Sequence, residues 1–177
     1  YSMYGAVPLK EIKHQLLALK AAGKLDRVRM LLLTNCTFDG IVYNVERVME
    51  ECLAIKPDLV FLWDEAWFAF ARFGPTYRQR TGMNAAKNLR EKLRTPQYAK
   101  LYEKQQAKLK DADDETLLKT RLLPPPNSRI RVYSTQSTHK TLTSLRQGSM
   151  IHVNDQDFKG EVEQSFHEAY MTHTSTS

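Results

Sequence analysis

The sequence predicts an α/β fold, a three-layer and mainly parallel sheet covered by helices, on three observations. Short apolar runs of strand length alternate with stretches of helical periodicity. The strand runs are continuously apolar, as they are when both faces of a sheet are covered. Polar or charged residues stand where those runs end, at Thr34-Asn35, at Asp64 and at Ser137 to Lys140, which is where open α/β sheets gather function. With 177 residues, 42% of them hydrophobic, the chain can bury one core, so a single domain or part of one is expected.

The elements follow in order. Pro8 opens a helix in which Leu9, Ile12, Leu16, Leu17 and Leu19 recur near helical spacing, and Gly23 stops it. The run 28–33 is a buried strand ended by Thr34-Asn35, and Asp39-Gly40 supplies a turn. Val45, Val48, Met49, Cys52 and Leu53 restore helical periodicity until Lys56-Pro57-Asp58 breaks it. A second strand, 59–63, ends at Asp64, completing a strand-helix-strand unit whose crossover is right-handed by rule. Further strands are expected at 130–135 and 149–153, then a helix over 158–171 with Asp157 as its cap.

Between the second and third strands lies a segment the sheet does not require. Residues 87–110 are rich in helix formers, with Leu89, Leu93, Tyr98, Leu101 and Tyr102 giving a partial apolar face, and Pro124-Pro125-Pro126 ends the segment rigidly. An exposed helical insertion over 84–127 is the expectation, long enough to embrace a second subunit.

The net charge of +6 is concentrated there: 72–131 holds fifteen Lys/Arg against six Asp/Glu, the remainder eleven against fourteen. Solvated helix faces produce the same pattern, and no nucleic-acid-binding motif accompanies it, so nucleic acid is not the expected partner. No run is long enough to span a bilayer and no amino-terminal signal pattern is visible, which favours the cytoplasm. Cys36 and Cys52 lack metal-ligand or CxxC spacing and read as free or buried thiols. His14, His152 and His167 carry no signal, and no metal site is supported.

Two motifs carry chemistry. In Trp63-Asp64-Glu65-Ala66-Trp67 an apolar strand ends in an acid, and a carboxylate there calls for a cationic partner such as a protonated pyridine nitrogen. The bland competitor is a carboxylate that caps the next turn or pairs with Arg72. In Ser137-Thr138-His139-Lys140 a lysine just past a strand end stands where pyridoxal 5'-phosphate (PLP) can be held as a Schiff base. The hydroxyls and imidazole before it can serve a phosphate or a proton transfer, although His139 could equally just bond the backbone. Trp67, Phe68, Phe70 and Phe73 read as core packing rather than a substrate cage.

These motifs, with 33–44 before them and His173-Thr174-Ser175-Thr176-Ser177 after them, resemble the bacterial ornithine/lysine/arginine decarboxylases in content and order. The resemblance implies a PLP-dependent enzyme of the aspartate-aminotransferase type of fold, which removes the α-carboxylate of a basic amino acid from an active site shared across a homodimer. It implies Lys140 as the Schiff-base lysine and Asp64 as partner of the pyridine nitrogen. Ser137 and His139 match positions around the cofactor phosphate, Ala66 and Trp67 the turn beside the ring, and Ser175 a residue reaching the neighbouring subunit's cofactor phosphate. Trp63 departs from the phenylalanine usual before the aspartate.

The chain starts at Tyr1 and stops inside a motif at Ser177, so 1–177 reads as a partial PLP-binding major domain, inactive alone. Neither the upstream phosphate-binding turn nor the histidine that stacks on the ring can be identified. Other PLP reactions on the same scaffold, transamination or retro-aldol cleavage, stay open. So does a non-catalytic subunit that binds a partner through the basic segment.

Overall fold

The computed structural model describes residues 5–172. Four strands, β1 (Met30–Thr34), β2 (Val60–Asp64), β3 (Arg131–Ser137) and β4 (Ser149–Asp155), lie side by side in chain order. β1, β2 and β3 are parallel, in a register that aligns Thr34 with Asp64 and Asp64 with Thr135, so the three carboxyl ends meet at one edge of the sheet. β4 runs antiparallel to β3, because the connection 138–148 is too short for a parallel crossover. The sheet is therefore mixed, with a parallel body.

Helix α1 (Leu9–Ala21) ends where the sequence indicates. Gly23 takes φ +65, and Lys24 N–H closes the helix by donating to Leu19 O at 2.8 Å. Helix α2 (Val45–Ile55), capped by the Asn44 side chain accepting from Arg47 N–H, buries Val45, Val48, Met49, Cys52 and Leu53. These pack with Phe61, Trp63 and Val132 in the main core. Inside it, Lys13 and Glu51 form a buried ion pair at 2.6 Å, and the Lys13 ammonium also donates to Thr120 O at 2.7 Å. Cys36 and Cys52 are both free thiols, and burial, then Glu51 nearby, pushes the Cys52 thiol up to about 12.

The expected exposed insertion is corrected at its start. Helix α4 (Gly82–Leu93), which follows the single turn α3 (Pro75–Arg78), fully buries Ala85, Ala86 and Leu89 against the sheet and α2. It is the crossover helix that a parallel β2–β3 connection needs. Its approach is close enough that a Cβ on Gly82 would sit 2.8 Å from Trp63 Cδ1. Nor do residues 87–110 form one helix. Pro96 cannot continue the preceding turn, so α5 (Pro96–Leu109) starts anew, with the Thr95 hydroxyl capping Tyr98 N–H at 3.2 Å. Within 84–127, the largely exposed helices are α5 and α6 (Asp114–Lys119).

Part of the basic excess is spent internally, since Lys92 and Arg121 both bind the fully buried Glu50 of α2. The turn α7 (Thr138–Thr141) follows β3, and α8 (Glu161–Thr172) follows β4. Asp157 does not cap α8, which starts four residues later. Its carboxylate pairs with Arg129 at 2.5 Å instead.

Helices α1, α2 and α4 cover one face of the sheet. On the other, Phe166 of α8 approaches Tyr133 at 6.3 Å between ring centroids, while Met30 and Leu32 are 48% and 57% exposed. The strand-end site opens on this second face.

Candidate active site at the strand ends

Asp64 closes β2 on the open face, half-buried, between Thr34 and Thr135. Its Oδ1 accepts from Ala66 N–H at 3.1 Å and from the Thr135 hydroxyl at 3.3 Å. The carboxylate does cap the following turn, as the bland reading allows, yet among the described residues it forms no ion pair with Arg72 and its Oδ2 has no donor. The turn it holds presents Trp67, whose indole meets Phe38 edge-on with centroids 5.3 Å apart.

Lys140 reaches the same place from β3. Its Nζ lies 5.0 Å from the Trp67 ring centroid, a cation–π distance. Asp64, Ala66, Trp67 and Lys140 line one cleft of about 640 Å3, together with Thr34, Phe38, Asp39 and Tyr43 from the loop after β1. That loop is shaped by Gly40 at φ +82, whose N–H donates to Thr37 O at 2.9 Å.

Ser137 and His139 do not line the cleft. Ser137 is the last residue of β3 and precedes α7 without capping it through its side chain. The exposed His139 turns its Nδ1 to Gly148, 3.3 Å from the N–H and 3.2 Å from the carbonyl, with the tautomer deciding which bond forms. It ties the lysine turn to the start of β4. Ser175 lies outside the described residues.

The residue that sequence reasoning passed over is Glu65. Being one position on from Asp64, it faces the interior and is fully buried. Its Oε1 accepts from Asn35 Nδ2 at 2.9 Å and Gly82 N–H at 2.7 Å; its Oε2 accepts from the Ser134 hydroxyl at 2.7 Å and Gln136 Nε2 at 3.3 Å. Four donors fill the acceptor sites of one carboxylate. They come from the end of β1, from β3 and from the first residue of α4. Asn35 adds bonds to Arg80 O and from Tyr43 N–H, and Gln136 Oε1 meets His152 Nε2 at 3.0 Å. The available signal was the adjacency of two acids at a strand end, which alternation sends to opposite faces.

Comparison with known proteins now bears on this arrangement. The family described as Orn/Lys/Arg decarboxylase, major domain, matches residues 1–111 and 123–177. The chain belongs to that family. Among its relatives, the lysine decarboxylase LdcA of Pseudomonas aeruginosa is 30% identical over 98% of this chain, and the inducible lysine decarboxylase of Escherichia coli K12 is 29% identical over all of it. The biodegradative arginine decarboxylase of Escherichia coli K12 is 29% identical over 82% of it. The solved lysine decarboxylase A of Pseudomonas aeruginosa superposes with a TM-score of 0.60 over 98% of this chain, at 29% identity. This decarboxylase-family chain spans about a fifth of such relatives, 18% of the first two and 19% of the solved chain. The residues outside the family match, 112–122, contain α6.

Proposed function

We propose that this chain is part of the cofactor-binding domain of a PLP-dependent decarboxylase, acting on lysine, ornithine or arginine to give an amine and carbon dioxide. The observation that carries the reading is the convergence of Asp64 and Lys140, from the ends of two different strands, on one cleft. The donor set fits PLP: a carboxylate with one oxygen unengaged among the described residues, a primary amine, and a flat indole beside that amine. When bound, PLP supplies an electron sink for the charge left at Cα as the carboxylate departs.

The chain's own residues then have separable tasks. Asp64, oriented by Ala66 N–H and Thr135, would hold a proton on the pyridine nitrogen by opposite charge. Lys140 would hold the cofactor through Nζ, with Trp67 and Ala66 beside its ring. Ser137 and His139 would serve the phosphate surroundings, and Ser175, outside the described residues, would serve the cofactor phosphate of a second subunit of a homodimer. Transamination or retro-aldol cleavage would use the same groups, and the decarboxylase relatives favour decarboxylation. Binding through the basic segment alone is less well supported, because Lys92 and Arg121 are engaged with Glu50.

Lys140→Ala in the intact protein is expected to abolish release of carbon dioxide and amine from all three substrates. Unchanged turnover would refute the assignment.

A further inference from the structure

The end of the sheet remote from the cleft carries a second constellation. Arg90, in the last turn of α4, has Nε and Nη2 buried with no hydrogen-bond partner among the described residues. Ser128, only 8% exposed and just before β3, has a buried hydroxyl in the same condition. Buried polar groups are nearly always satisfied, and a charged donor kept from water without an acceptor is costlier still. Two unrelated residues with unmet donors at one place point to an acceptor outside the chain.

Arg90 and Ser128 line one pocket of about 260 Å3, along with Arg94 and Arg129, and no carboxylate lines it. Two acids at this end of the sheet have partners of their own: Asp157 pairs with Arg129 at 2.5 Å, and Asp155 accepts from the Tyr133 hydroxyl at 2.7 Å. Burial pushes the Arg90 guanidinium below its ordinary pKa and Arg94 pushes it further, with Asp155 offsetting part of the fall. An anion relieves both penalties at once.

We propose that this pocket binds a small tetrahedral oxyanion, the phosphate group of a free anion or of a phosphorylated small molecule. Guanidinium forks from Arg90 and Arg94 match pairs of oxygens on such a group, and the Ser128 hydroxyl donates to a third. The site is distinct from the cleft proposed for the cofactor. Ile130, which lines the pocket, and Lys140, which lines the cleft, flank opposite ends of β3, a separation of roughly 20 Å at ~3.3 Å per residue. It does not depend on the decarboxylase assignment.

The test is calorimetric titration of the intact protein, saturated with PLP, with inorganic phosphate at fixed ionic strength balanced by chloride. Saturable binding is expected, weakened by about tenfold or more in Arg90→Gln. Ser128→Ala and the exposed Arg94→Gln are expected to weaken it less; both keep the core intact and report even if Arg90→Gln folds poorly. A parallel titration with a nucleoside monophosphate separates the sources: tighter binding than phosphate assigns a nucleotide, equal binding a free anion. No saturable binding, or isotherms that Arg94→Gln and Ser128→Ala leave unaltered, would overturn the proposal.

Discussion

Asp64 and Glu65 are neighbours in sequence and opposites in environment. Asp64 faces the open side of the sheet, half-buried, with one oxygen engaged and the other meeting no donor among the described residues. Glu65 faces the covered side, fully buried, with both oxygens filled by donors from β1, β3 and α4. The side packed by helices fixes where three strands end, and the open side is thereby free to hold an underused carboxylate and an amine. Precise placement of reactive groups needs this kind of support from beneath.

If that division holds, substitutions on the covered side change stability and those on the open side change chemistry. The largest stability loss is expected for Glu65→Ala, which strands four buried donors and should cost at least about 4 kcal/mol, read as a collapse of the urea midpoint. A cost below about 1 kcal/mol would mean the network supports little. Next comes Gly82→Ala, whose methyl would meet the buried Trp63 ring at 2.8 Å; overpacking of this kind costs about 2 kcal/mol. Thermal unfolding would show it, and an unshifted midpoint would show that α4 is not held tightly to β2.

On the open side, Asp64→Asn keeps the shape and an acceptor for Ala66 N–H, so stability should move by less than about 0.5 kcal/mol. Turnover and PLP retention, measured on the same protein, should fall sharply. The opposite pattern, lost stability with retained turnover, would make Asp64 a structural cap.

The smallest effect belongs to Asp58, remote from the site and 57% exposed in its side chain. The Lys56 ammonium beside it holds its carboxyl below the ordinary value of 3.8. A depressed carboxylate stabilises the fold above the unfolded value and loses that contribution as pH falls through the folded one. Solvent screening limits the contribution to ~0.2–0.5 kcal/mol. Asp58→Asn should slightly flatten the fall in stability below about pH 4, and no difference there would assign the acid limb to other carboxylates.

Much of this was legible in the sequence, for physical reasons. Continuous apolar runs located β1 and β2, and strand-like runs of mixed polarity β3 and β4, within a few residues; the acid and lysine read at strand ends line one cleft. The crossover helix was expected to be exposed because Gly82, Ala85 and Ala86 pack by being small, and small residues add little to the partial apolar face of Leu89 and Leu93. The break at Pro96 was readable from Thr95-Pro96 alone. Glu65 could not be weighed, because its four partners are drawn from Asn35, Gly82, Ser134 and Gln136, and only folding brings them together. The unpaired donors of Arg90 and Ser128 are likewise a property of packing.

The most direct measurement is borohydride reduction of the intact protein in the presence of PLP, followed by peptide mass mapping. A pyridoxyl group on Lys140, with Asp64→Asn lowering its yield, is the predicted result. A modified lysine elsewhere, or none in a protein that still consumes a basic amino acid, would contradict the account.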